Sequence, residues 1–263
     1  MIDTHAHLCF PDYGEDPEKI AKECEHEMTA VIVTSARYDE GLLAFKLCAK
    51  HPHLFPSMGY HPAEGDGHPE KVMEMIRKEK GSIVGIGEVG LDYHWVRDPQ
   101  KREQQKKVFS DFIKLAEELN KPLVVHSWDA EPECFGMVKT LQMPVIFHCY
   151  SGSRELAEEI LKQGFYISIS THVLLSKQLR KIAKMVPLEQ MTLETDAPFL
   201  SPSKYLETKG MADRLKPGFD PNKNYPWNIR FSAEKIAELK KVSVQEVLQK
   251  TTENAVKIFG LRL

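Results

Sequence analysis

Six side chains in this sequence combine strong metal-ligand chemistry with positions that favour one shared site. Imidazole nitrogens and carboxylate oxygens bind divalent ions such as zinc, manganese or magnesium. Six such donors suffice for two ions about 3.5–4 Å apart, and a pair of ions activates water for attack on phosphorus or a carbonyl carbon. The six residues are His5, His7, Glu88, His126, His148 and Asp196. Their types therefore predict a two-metal site that needs no side-chain nucleophile.

Short apolar runs alternate with longer segments of helical period along the chain. This alternation is typical of βαβ units, and eight runs favour a closed α/β fold, the (β/α)8 TIM barrel. An open doubly wound sheet is the alternative, but the first run is not followed by the glycine-rich phosphate loop of that fold. The predicted strands cover residues 1–5, 30–35, 54–59, 82–88, 123–126, 145–148, 166–170 and 191–194.

Each candidate ligand lies at or just past the carboxyl end of a predicted strand, where the active sites of such barrels lie. His5 and His7 are two residues apart, so the period of two directs both imidazoles to one face. The alternative, histidines with satisfied partners in the core, suits any one residue but not all together. Each buried polar group without a partner costs roughly a few kcal/mol. The sequence therefore places the metal site at the C-terminal mouth of the barrel.

Composition favours one soluble domain over residues 1–263, working in the cytoplasm. No apolar run approaches the roughly 20 residues of a membrane span, and the start lacks the basic and apolar regions of a signal peptide. The five cysteines form no Cys-x-x-Cys pair, which favours a reducing compartment. We expect no membrane contact and no obligate protein partner.

The formal net charge of −3 lacks the large positive excess of proteins that follow a long nucleic-acid backbone. Any polyanion is therefore expected to bind locally. A short basic cluster offers one such contact, although the solvated face of a predicted helix is the simpler explanation. Its members are Arg97, Lys101, Arg102, Lys106 and Lys107.

Six short motifs appear in an order that matches a known family. They are Asp-Thr-His-Ala-His at 3–7, Gly-Tyr-His-Pro at 59–62, Gly-Glu-Val-Gly-Leu-Asp-Tyr at 87–93, Val-Val-His-Ser at 124–127, His-Cys-Tyr-Ser-Gly at 148–152 and Glu-Thr-Asp-Ala-Pro at 194–198. With these motifs the chain resembles the TatD family of metal-dependent hydrolases, in the amidohydrolase-like superfamily, over almost its whole length.

The resemblance implies a binuclear site with one histidine pair on each ion. Members of the family are described as deoxyribonucleases, some of which trim single-stranded DNA from its 3′ end, and related members as D-aminoacyl-tRNA deacylases. A single-stranded DNA end or an aminoacyl-tRNA is therefore the expected substrate. The implied pairs are His5 with His7 and His126 with His148, with Glu88 bridging the ions and Asp196 near both.

Two departures from the family pattern bear on phosphate binding. The family commonly has arginine after the His-Ser pair, whereas this chain has Trp128, which replaces a cation with an aromatic surface suited to stacking. The family also tends to have Arg-Asn-Glu-Pro soon after the strand that precedes the aspartate, whereas here a longer loop over residues 201–227 ends in Lys-Asn-Tyr-Pro-Trp. This loop is long enough to be a lid or a rim of the active site. Candidate replacements for the missing charge in this loop are Lys204, Lys209, Arg214 and Lys216.

Individual roles follow from the chemistry of such a centre. Asp196 is the expected general base, because a carboxylate beside the metal can take a proton from water and later deliver it. Asp92 is expected to accept a hydrogen bond from a ligating histidine rather than to act in catalysis. His61 has two interpretations, contact with the substrate or a structural role in its turn. Asp129 is expected to fix the loop of Trp128 or a metal ligand.

Three classes of function remain open. The leading hypothesis is a phosphodiesterase that cuts a single-stranded end, because a barrel mouth cannot enclose a duplex, with bases stacked on Trp128 or Trp227. The second is a carbonyl hydrolase, such as a deacylase, that uses the same activated water. The third, a non-catalytic metal-binding scaffold, is disfavoured by the complete ligand set. A further barrel group of phosphoesterases also begins with His-x-His but holds three ions, so the metal stoichiometry distinguishes it.

Overall fold

A computed structural model describes residues 1–65 and 67–263 as one (β/α)8 barrel. Its eight strands are parallel and pair in chain order. The predicted TIM barrel is confirmed, and every strand overlaps its predicted run. The strands are β1 (Ile2–Ala6), β2 (Ala30–Ser35), β3 (Leu54–Tyr60), β4 (Gly85–Asp92), β5 (Leu123–Trp128), β6 (Val145–Phe147), β7 (Tyr166–Ser170) and β8 (Met191–Glu194).

The barrel closes between β1 and the chain just after β8. Ala6 and Ala197 form a parallel bridge. Two backbone hydrogen bonds extend this pairing, from His7 N to Ala197 O at 2.7 Å and from Asp196 N to His5 O at 3.0 Å. Closure therefore brings the first two candidate ligands of the chain against the last one.

The helices lie outside the barrel and follow the strands along the chain. Asp16 before the first helix and Asp98 before the fourth accept a hydrogen bond from a backbone N–H of the first turn. These caps satisfy N–H groups that the helix leaves free, and so they fix where two of the mouth loops end. The helices are α1 (Pro17–Glu27), α2 (Tyr38–Cys48), α3 (Pro69–Lys78), α4 (Pro99–Leu119), α5 (Glu131–Val138), α6 (Arg154–Lys162), α7 (Lys177–Met185), α8 (Ser203–Thr208), α9 (Ile229–Lys240) and α10 (Val244–Phe259).

The C-terminal helix covers the end of the barrel where the strands begin. A buried apolar cluster joins Ile2, Ala30 and Tyr166, at the starts of three strands, to Ile258 and Phe259 of α10. The larger core lies between the sheet and the surrounding helices. Burial of this apolar surface stabilises the closed end, and the carboxyl ends of the strands form the mouth at the opposite end.

The long loop predicted over residues 201–227 is packed against the barrel and contains α8. Trp227 is 1% exposed and stacks on Tyr225, with ring centroids 5.0 Å apart. Asn224 donates a hydrogen bond to Thr195 O at 2.8 Å, which ties the loop to the end of β8. The prediction that a base stacks on Trp227 is therefore wrong, because the core encloses its indole.

The sequence composition led to two expectations, one about membrane-spanning segments and one about the cysteines. Across residues 1–65 and 67–263, no helix combines the length and the apolar character needed to cross a membrane. All five cysteines lie in this part of the chain and are free thiols. Burial raises the pKa of the Cys24 and Cys134 thiols, so both are protonated packing residues.

Candidate metal centre

Strand β1 and the residue that follows it carry two of the predicted ligands and one residue that anchors them. Asp3, His5 and His7 are two residues apart and all buried. Asp3 accepts hydrogen bonds from the backbone N of His5 at 3.1 Å and of Thr195 at 3.0 Å, and another from the Thr195 hydroxyl. Asp3 therefore ties the first ligand strand to the residue next to Asp196, a role that sequence reasoning did not assign.

Glu88 enters the centre from β4, where the backbone approaches both neighbouring strands closely. Gly90 has a φ of +152°, and a Cβ there would lie 1.9 Å from the carbonyl oxygen of His126. At Gly59 on β3, a Cβ would lie 2.1 Å from the carbonyl oxygen of Glu88. Only glycine fits such positions. Gly90 therefore lets the strands that carry Glu88 and His126 come together, and Gly59 lets β3 approach β4.

The first group of donor atoms surrounds one oxygen of Glu88. Glu88 Oε1 lies 3.0 Å from His7 Nε2 and 3.7 Å from His5 Nε2, and the two nitrogens are 3.1 Å apart. Asp196 Oδ1 lies 3.7 Å from His7 Nε2 and 3.8 Å from His5 Nε2. Ligands 2.0–2.1 Å from a tetrahedral ion are about 3.4 Å from one another. The two imidazole nitrogens therefore have the spacing of ligands to a single ion, both from each other and from each carboxylate oxygen.

The second group surrounds the other oxygen of the same carboxylate. Glu88 Oε2 lies 3.0 Å from His148 Nε2 and 3.3 Å from His126 Nδ1. The two nitrogens are 3.3 Å apart. The rings of His5 and His148 stack with centroids 4.0 Å apart, so the two groups adjoin. The structure thus brings all six predicted ligand residues together at the mouth, with Glu88 in both groups.

Carboxylates hold the far side of two ligand imidazoles. His7 Nδ1 lies 3.3 Å from Glu40 Oε1, and His126 Nε2 lies 3.0 Å from Asp92 Oδ2. In each pair we assign the N–H to the nitrogen that faces this outer carboxylate, which leaves a lone pair on the nitrogen that faces Glu88. Asp92 therefore contacts one of the predicted ligand histidines, which is the contact its predicted role requires.

The donor set fits divalent cations. A lone pair on His7 Nε2 next to an anionic oxygen of Glu88 is repulsive unless a proton or a cation lies between them. Burial lowers the pKa of His7, but Glu40 and Glu88 outweigh it and raise that pKa well above its usual value. Burial also opposes ionisation of Glu88, yet the surrounding histidines hold its pKa well below the usual range. The centre therefore favours positive charge, and its nitrogen and oxygen donors match zinc, manganese and magnesium.

Asp196 is the carboxylate of the centre that solvent reaches. Its side chain is 17% exposed, against 3% for Glu88. It follows β8 with a φ of +56°, a left-handed conformation that aspartate tolerates better than most residues. Burial raises the pKa of Asp196 to about 6 and lowers that of His5 to about 4. One face of the Asp196 carboxylate therefore opens to the mouth while the other faces the ligand histidines.

His61 lies beside the centre in an orientation that differs from the ligands. Its Nδ1 accepts hydrogen bonds from the backbone N of Ala63 at 3.1 Å and of Glu64 at 3.0 Å. Burial lowers the pKa of His61 to about 3, so the ring is neutral and carries its hydrogen on Nε2. Nε2 lies 3.9 Å from Glu88 Oε2. His61 thus holds its turn through one nitrogen and directs a donor at the centre through the other.

Trp128 and Asp129 lie on the rim of the mouth. Trp128 is 40% exposed and stacks on His94, with ring centroids 4.1 Å apart. Asp129 Oδ2 lies 3.0 Å from His94 Nδ1. Of the two predicted roles of Asp129, the geometry supports the one that fixes the loop of Trp128.

Several cations predicted to contact phosphate are engaged elsewhere. Arg214 lies 2.5 Å from Glu234, and Lys216 lies 2.6 Å from Glu27. Arg102, from the predicted basic cluster, donates to the carbonyl oxygens of residues 93 and 96. These contacts pin a loop and a helix start to the barrel. Arg214, Lys216 and Arg102 are therefore poor candidates for a substrate contact.

Three residues near the centre have no role in the sequence-based prediction. Glu40 is 2% exposed in the first turn of α2, where an acidic residue is usually explained by the helix dipole. Glu194 ends β8, accepts a hydrogen bond from Cys149 N and lies on the outer side of His148. Arg37 precedes α2, with its guanidinium 5.6 Å from the ring of Phe10. Of these three residues, only Glu194 could have been found from the sequence, because it lies at the carboxyl end of a predicted strand.

We expect divalent metal to stabilise the folded protein, because only the folded chain assembles both donor groups. Metal at 100 times its dissociation constant adds about 2.7 kcal/mol to the free energy of unfolding. In a protein of this size, that raises the melting temperature by roughly 5–10 °C. Melting curves recorded in chelator and then in zinc, manganese or magnesium measure the shift. An equal shift in a Glu88→Gln variant would contradict the assignment to this centre.

The fold and the donor groups together place the chain among the metal-dependent hydrolases built on (β/α)8 barrels. A family model described as TatD related DNase matches residues 2–260. The chain belongs to the TatD family, as its motifs indicate, and it is a metal-dependent hydrolase.

Relatives match the chain over its full length. It is 34% identical over 265 residues to a Methanocaldococcus jannaschii protein named uncharacterized metal-dependent hydrolase MJ1582, covering 100% of this chain and 98% of that one. It is 29% identical over 274 residues to human deoxyribonuclease TATDN3, covering 98% and 94%. The crystal structure of YJJV, a TatD homologue from Escherichia coli, has a TM-score of 0.84 at 24% identity, covering 100% and 98%. This last likeness supports the fold.

Proposed function

We propose that the protein is a phosphodiesterase that removes nucleotides from an end of single-stranded DNA, with two divalent ions at its centre. The observation that carries this proposal is that Glu88 presents one carboxylate oxygen to each histidine pair. The printed name of the human relative, deoxyribonuclease, supports a nucleic-acid substrate. The proposed ligands are His5, His7 and Asp196 for one ion, His126 and His148 for the other, and Glu88 for both.

The proposed mechanism uses Asp196 as the group that moves protons. When bound, the two ions supply a water of lowered pKa and polarise the phosphoryl group. The Asp196 carboxylate lies between the ligand histidines and the open mouth. It therefore reaches a water at the reacting phosphorus, takes a proton from it, and returns a proton to the leaving oxygen.

His61 is the proposed donor to the phosphoryl oxygen. Its Nε2–H faces the centre, and the two hydrogen bonds accepted by Nδ1 fix the ring in that orientation. A donor held in place before the reaction stabilises charge that develops in the transition state. The hydrogen bond is neutral, because burial keeps His61 unprotonated.

The depth of the centre restricts the substrate to an unpaired strand. His5, Glu88 and His148 are 0%, 2% and 5% exposed, so only a narrow chain reaches them from the rim. Single-stranded ends can enter such a mouth, whereas an intact duplex cannot. Arg37 at the rim lies 3.5 Å from Glu64, a longer contact than the ion pairs of Arg214 and Lys216. It therefore offers a cation for local contact with a phosphate, consistent with a chain of slight negative net charge.

A deacylase acting on aminoacyl-tRNA is the second candidate. The residue after the His126–Ser127 pair is Trp128 rather than a cation, which favours a substrate with less phosphate at that position. The acceptor end of tRNA is also single-stranded and so fits the same mouth. The two candidates differ in the bond that is cut, phosphodiester or carboxylic ester.

Direct assays separate the candidates. Metal-stripped protein is reloaded with Mg²⁺, Mn²⁺ or Zn²⁺ and given labelled single-stranded DNA, the same DNA as a blunt duplex, and D-aminoacyl-tRNA. We expect metal-dependent shortening of the single strand from one end and little product from the duplex. Release of the amino acid with intact DNA would replace the phosphodiesterase with the deacylase, and turnover of neither substrate would contradict both.

Metal analysis tests the proposed count of two ions. His61, Asp92 and His126 form a third group of donor types. In that group the contact of Asp92 with His126 is a hydrogen bond, and His61 carries its hydrogen on the nitrogen that faces the centre. We therefore expect two ions per chain by elemental analysis. Three would favour the mechanism of the three-ion phosphoesterase barrels.

We expect Glu40→Gln to weaken metal binding about 10- to 100-fold while the fold is kept. Glu40 accepts the His7 Nδ1–H and also the backbone N–H of Ala36 at 2.7 Å. Glutamine preserves the size of the side chain but removes the charge that makes His7 a stronger ligand. Zinc titration of metal-free protein measures the change. The control is Asp39→Asn, an exposed neighbour in the same helical turn, and an equal loss there would refute a role for the Glu40 contact.

A further inference from the structure

Three exposed aromatic side chains lie on the rim of the mouth. Trp95, Trp128 and Phe199 are 69%, 40% and 46% exposed. Trp128 is the last residue of β5, and Trp95 and Phe199 lie in the loops that follow β4 and β8. Large aromatic surfaces left in water are costly to keep without a use, and next to a binding centre they commonly mark a ligand contact.

Trp95, Trp128 and His94 form one cluster, which we call the tryptophan patch. His94 stacks face to face on Trp128, with an interplanar angle of 8°. Trp95 stands at 84° to Trp128, with ring centroids 6.1 Å apart. The Trp95 backbone N donates to Asp92 Oδ1 at 2.8 Å, and Asp92 in turn contacts His126. Two indole faces are thus fixed at a right angle, one residue away from a ligand of the centre.

Phe10, Phe199 and Arg37 form a second cluster, the phenylalanine patch. The two phenylalanine rings meet edge to face with centroids 5.4 Å apart. Each lies 6.3 Å from the ring of His7. The Arg37 guanidinium lies 5.6 Å from the Phe10 ring, so this patch carries a cation beside its aromatic surface. The tryptophan patch has an exposed cation close by in sequence, Arg97.

The strand order puts the two patches on opposite sides of the metal centre. In a ring of eight strands, β4 and β5 lie four strands away from β8 and β1. The tryptophan patch follows β4 and β5, and the phenylalanine patch follows β1, β2 and β8. The donor groups lie between them, with His7 on one side and His126 on the other. A strand that crosses the mouth along this diameter meets an aromatic surface before and after the centre.

We propose that the two patches are nucleobase subsites, one on each side of the bond that is cut. This inference rests on the proposed function. Each patch stacks one unpaired base, and Arg37 and Arg97 contact the adjoining phosphates. Stacking needs a base face free of its pairing neighbours, so the patches select single-stranded substrate by binding as well as by steric exclusion. Stacking is tolerant of sequence, so all four bases are accepted.

Abasic substrates test the two subsites by kinetics. Oligonucleotides are made with one base deleted at the terminal or at the penultimate nucleotide of the end that is cut. In the unaltered protein we expect each deletion to raise KM by about 5- to 140-fold, the usual effect of one stacked base. In the Trp95→Ala or Trp128→Ala variant, deletion of one of these two bases should no longer raise KM. In the Phe199→Ala variant, deletion of the other base should no longer raise KM. Penalties that stay the same in all three variants, or none in the unaltered protein, overturn the inference.

Leu43→Ala is the matched control, because Leu43 is 49% exposed and lies on α2 outside the barrel. It should keep both penalties. All three test residues are exposed, so their replacement leaves the core intact, and melting curves of each variant check this.

Equilibrium binding separates failure of the inference from failure of the proposed function. Two of the three tryptophans lie in the tryptophan patch, and the third, Trp227, is buried. Binding of oligothymidylate to metal-loaded protein should therefore quench the emission, and Trp95→Ala should weaken that binding. Quenching without hydrolysis would keep the subsites and reject the phosphodiesterase. Hydrolysis that does not depend on either patch would keep the phosphodiesterase and reject the subsites. The absence of both binding and hydrolysis would reject the subsites and the phosphodiesterase.

Discussion

We expect the Asp196→Asn variant to fold and to retain metal but to lose roughly 10²- to 10⁴-fold in kcat, the usual contribution of a general base. Asparagine keeps the shape of the side chain and one oxygen near His5 and His7, but it cannot accept a proton at neutral pH. The loss should appear in kcat with little change in KM, because in the proposed mechanism Asp196 acts on the attacking water and does not contact the bases of the substrate.

Metal content and melting temperature must be measured on the same preparation, since Asp196 is both a proposed ligand and the proposed base. Asp111→Asn is the control, because Asp111 lies on the outer helix α4 and pairs with Lys114 at 3.1 Å. It should match the unaltered protein in every assay. A variant of Asp196 that keeps its full kcat would assign proton transfer to another group. A variant that loses one metal would assign Asp196 to metal binding first.

The strands, and the six residues that the fold brings together at the mouth, could be predicted because both follow from local pattern. Alternation of residues sets the face on which His5 and His7 lie, and the end of each apolar run marks the mouth of a parallel barrel. Glu88, His126 and His148 needed only the same rule on other strands. The chemistry of the centre was therefore visible before any long-range contact was known.

The surroundings of the centre could not be predicted, because they depend on contacts between distant parts of the chain. Asp3 meets Thr195 across 192 positions, and Glu40 meets His7 across 33. Neither contact leaves a periodic signal, and an acidic residue in the first turn of a helix has an ordinary explanation in the helix dipole. Sequence reasoning therefore found the six donor residues and Asp92, but it missed Asp3 and Glu40, whose contacts hold His5 and His7 in place.

Aromatic residues of the loops were the least predictable, because tertiary packing alone decides their exposure. Trp227 follows a polar loop and so appeared available for stacking, yet it packs between Tyr225 and Phe219. Trp95 lies in a comparable loop and is 69% exposed. Nothing in the local sequence distinguishes the two, since the difference comes from whether the loop folds back onto the barrel.

Glu88→Gln should have the largest effect on metal binding of any single change at the centre. A glutamine offers one oxygen and one NH₂ group where the glutamate offers two anionic oxygens. One histidine pair then faces the NH₂ group, which cannot bind a metal ion. The other pair faces a neutral oxygen, which no longer balances the charge of the metal ion. We expect fewer than two ions per chain and hydrolysis near the background rate, because the proposed mechanism needs both ions to activate the water.

Because Glu88 is buried, the loss of any buried carboxylate could by itself affect the protein. The Glu131→Gln variant is the control for that effect. Glu131 is 7% exposed and, like Glu88, lies near the mouth. Its carboxylate accepts a hydrogen bond from Ser151 and does not face the histidines. Both variants should fold, but only Glu88→Gln should lose metal, activity and the metal-dependent rise in melting temperature. Two tightly bound ions in Glu88→Gln would contradict the bridging role, since each histidine pair would then hold its ion without the shared carboxylate. Loss of metal in Glu131→Gln as well would mean that buried charge near the mouth, and not the geometry of Glu88, sets the affinity of the centre.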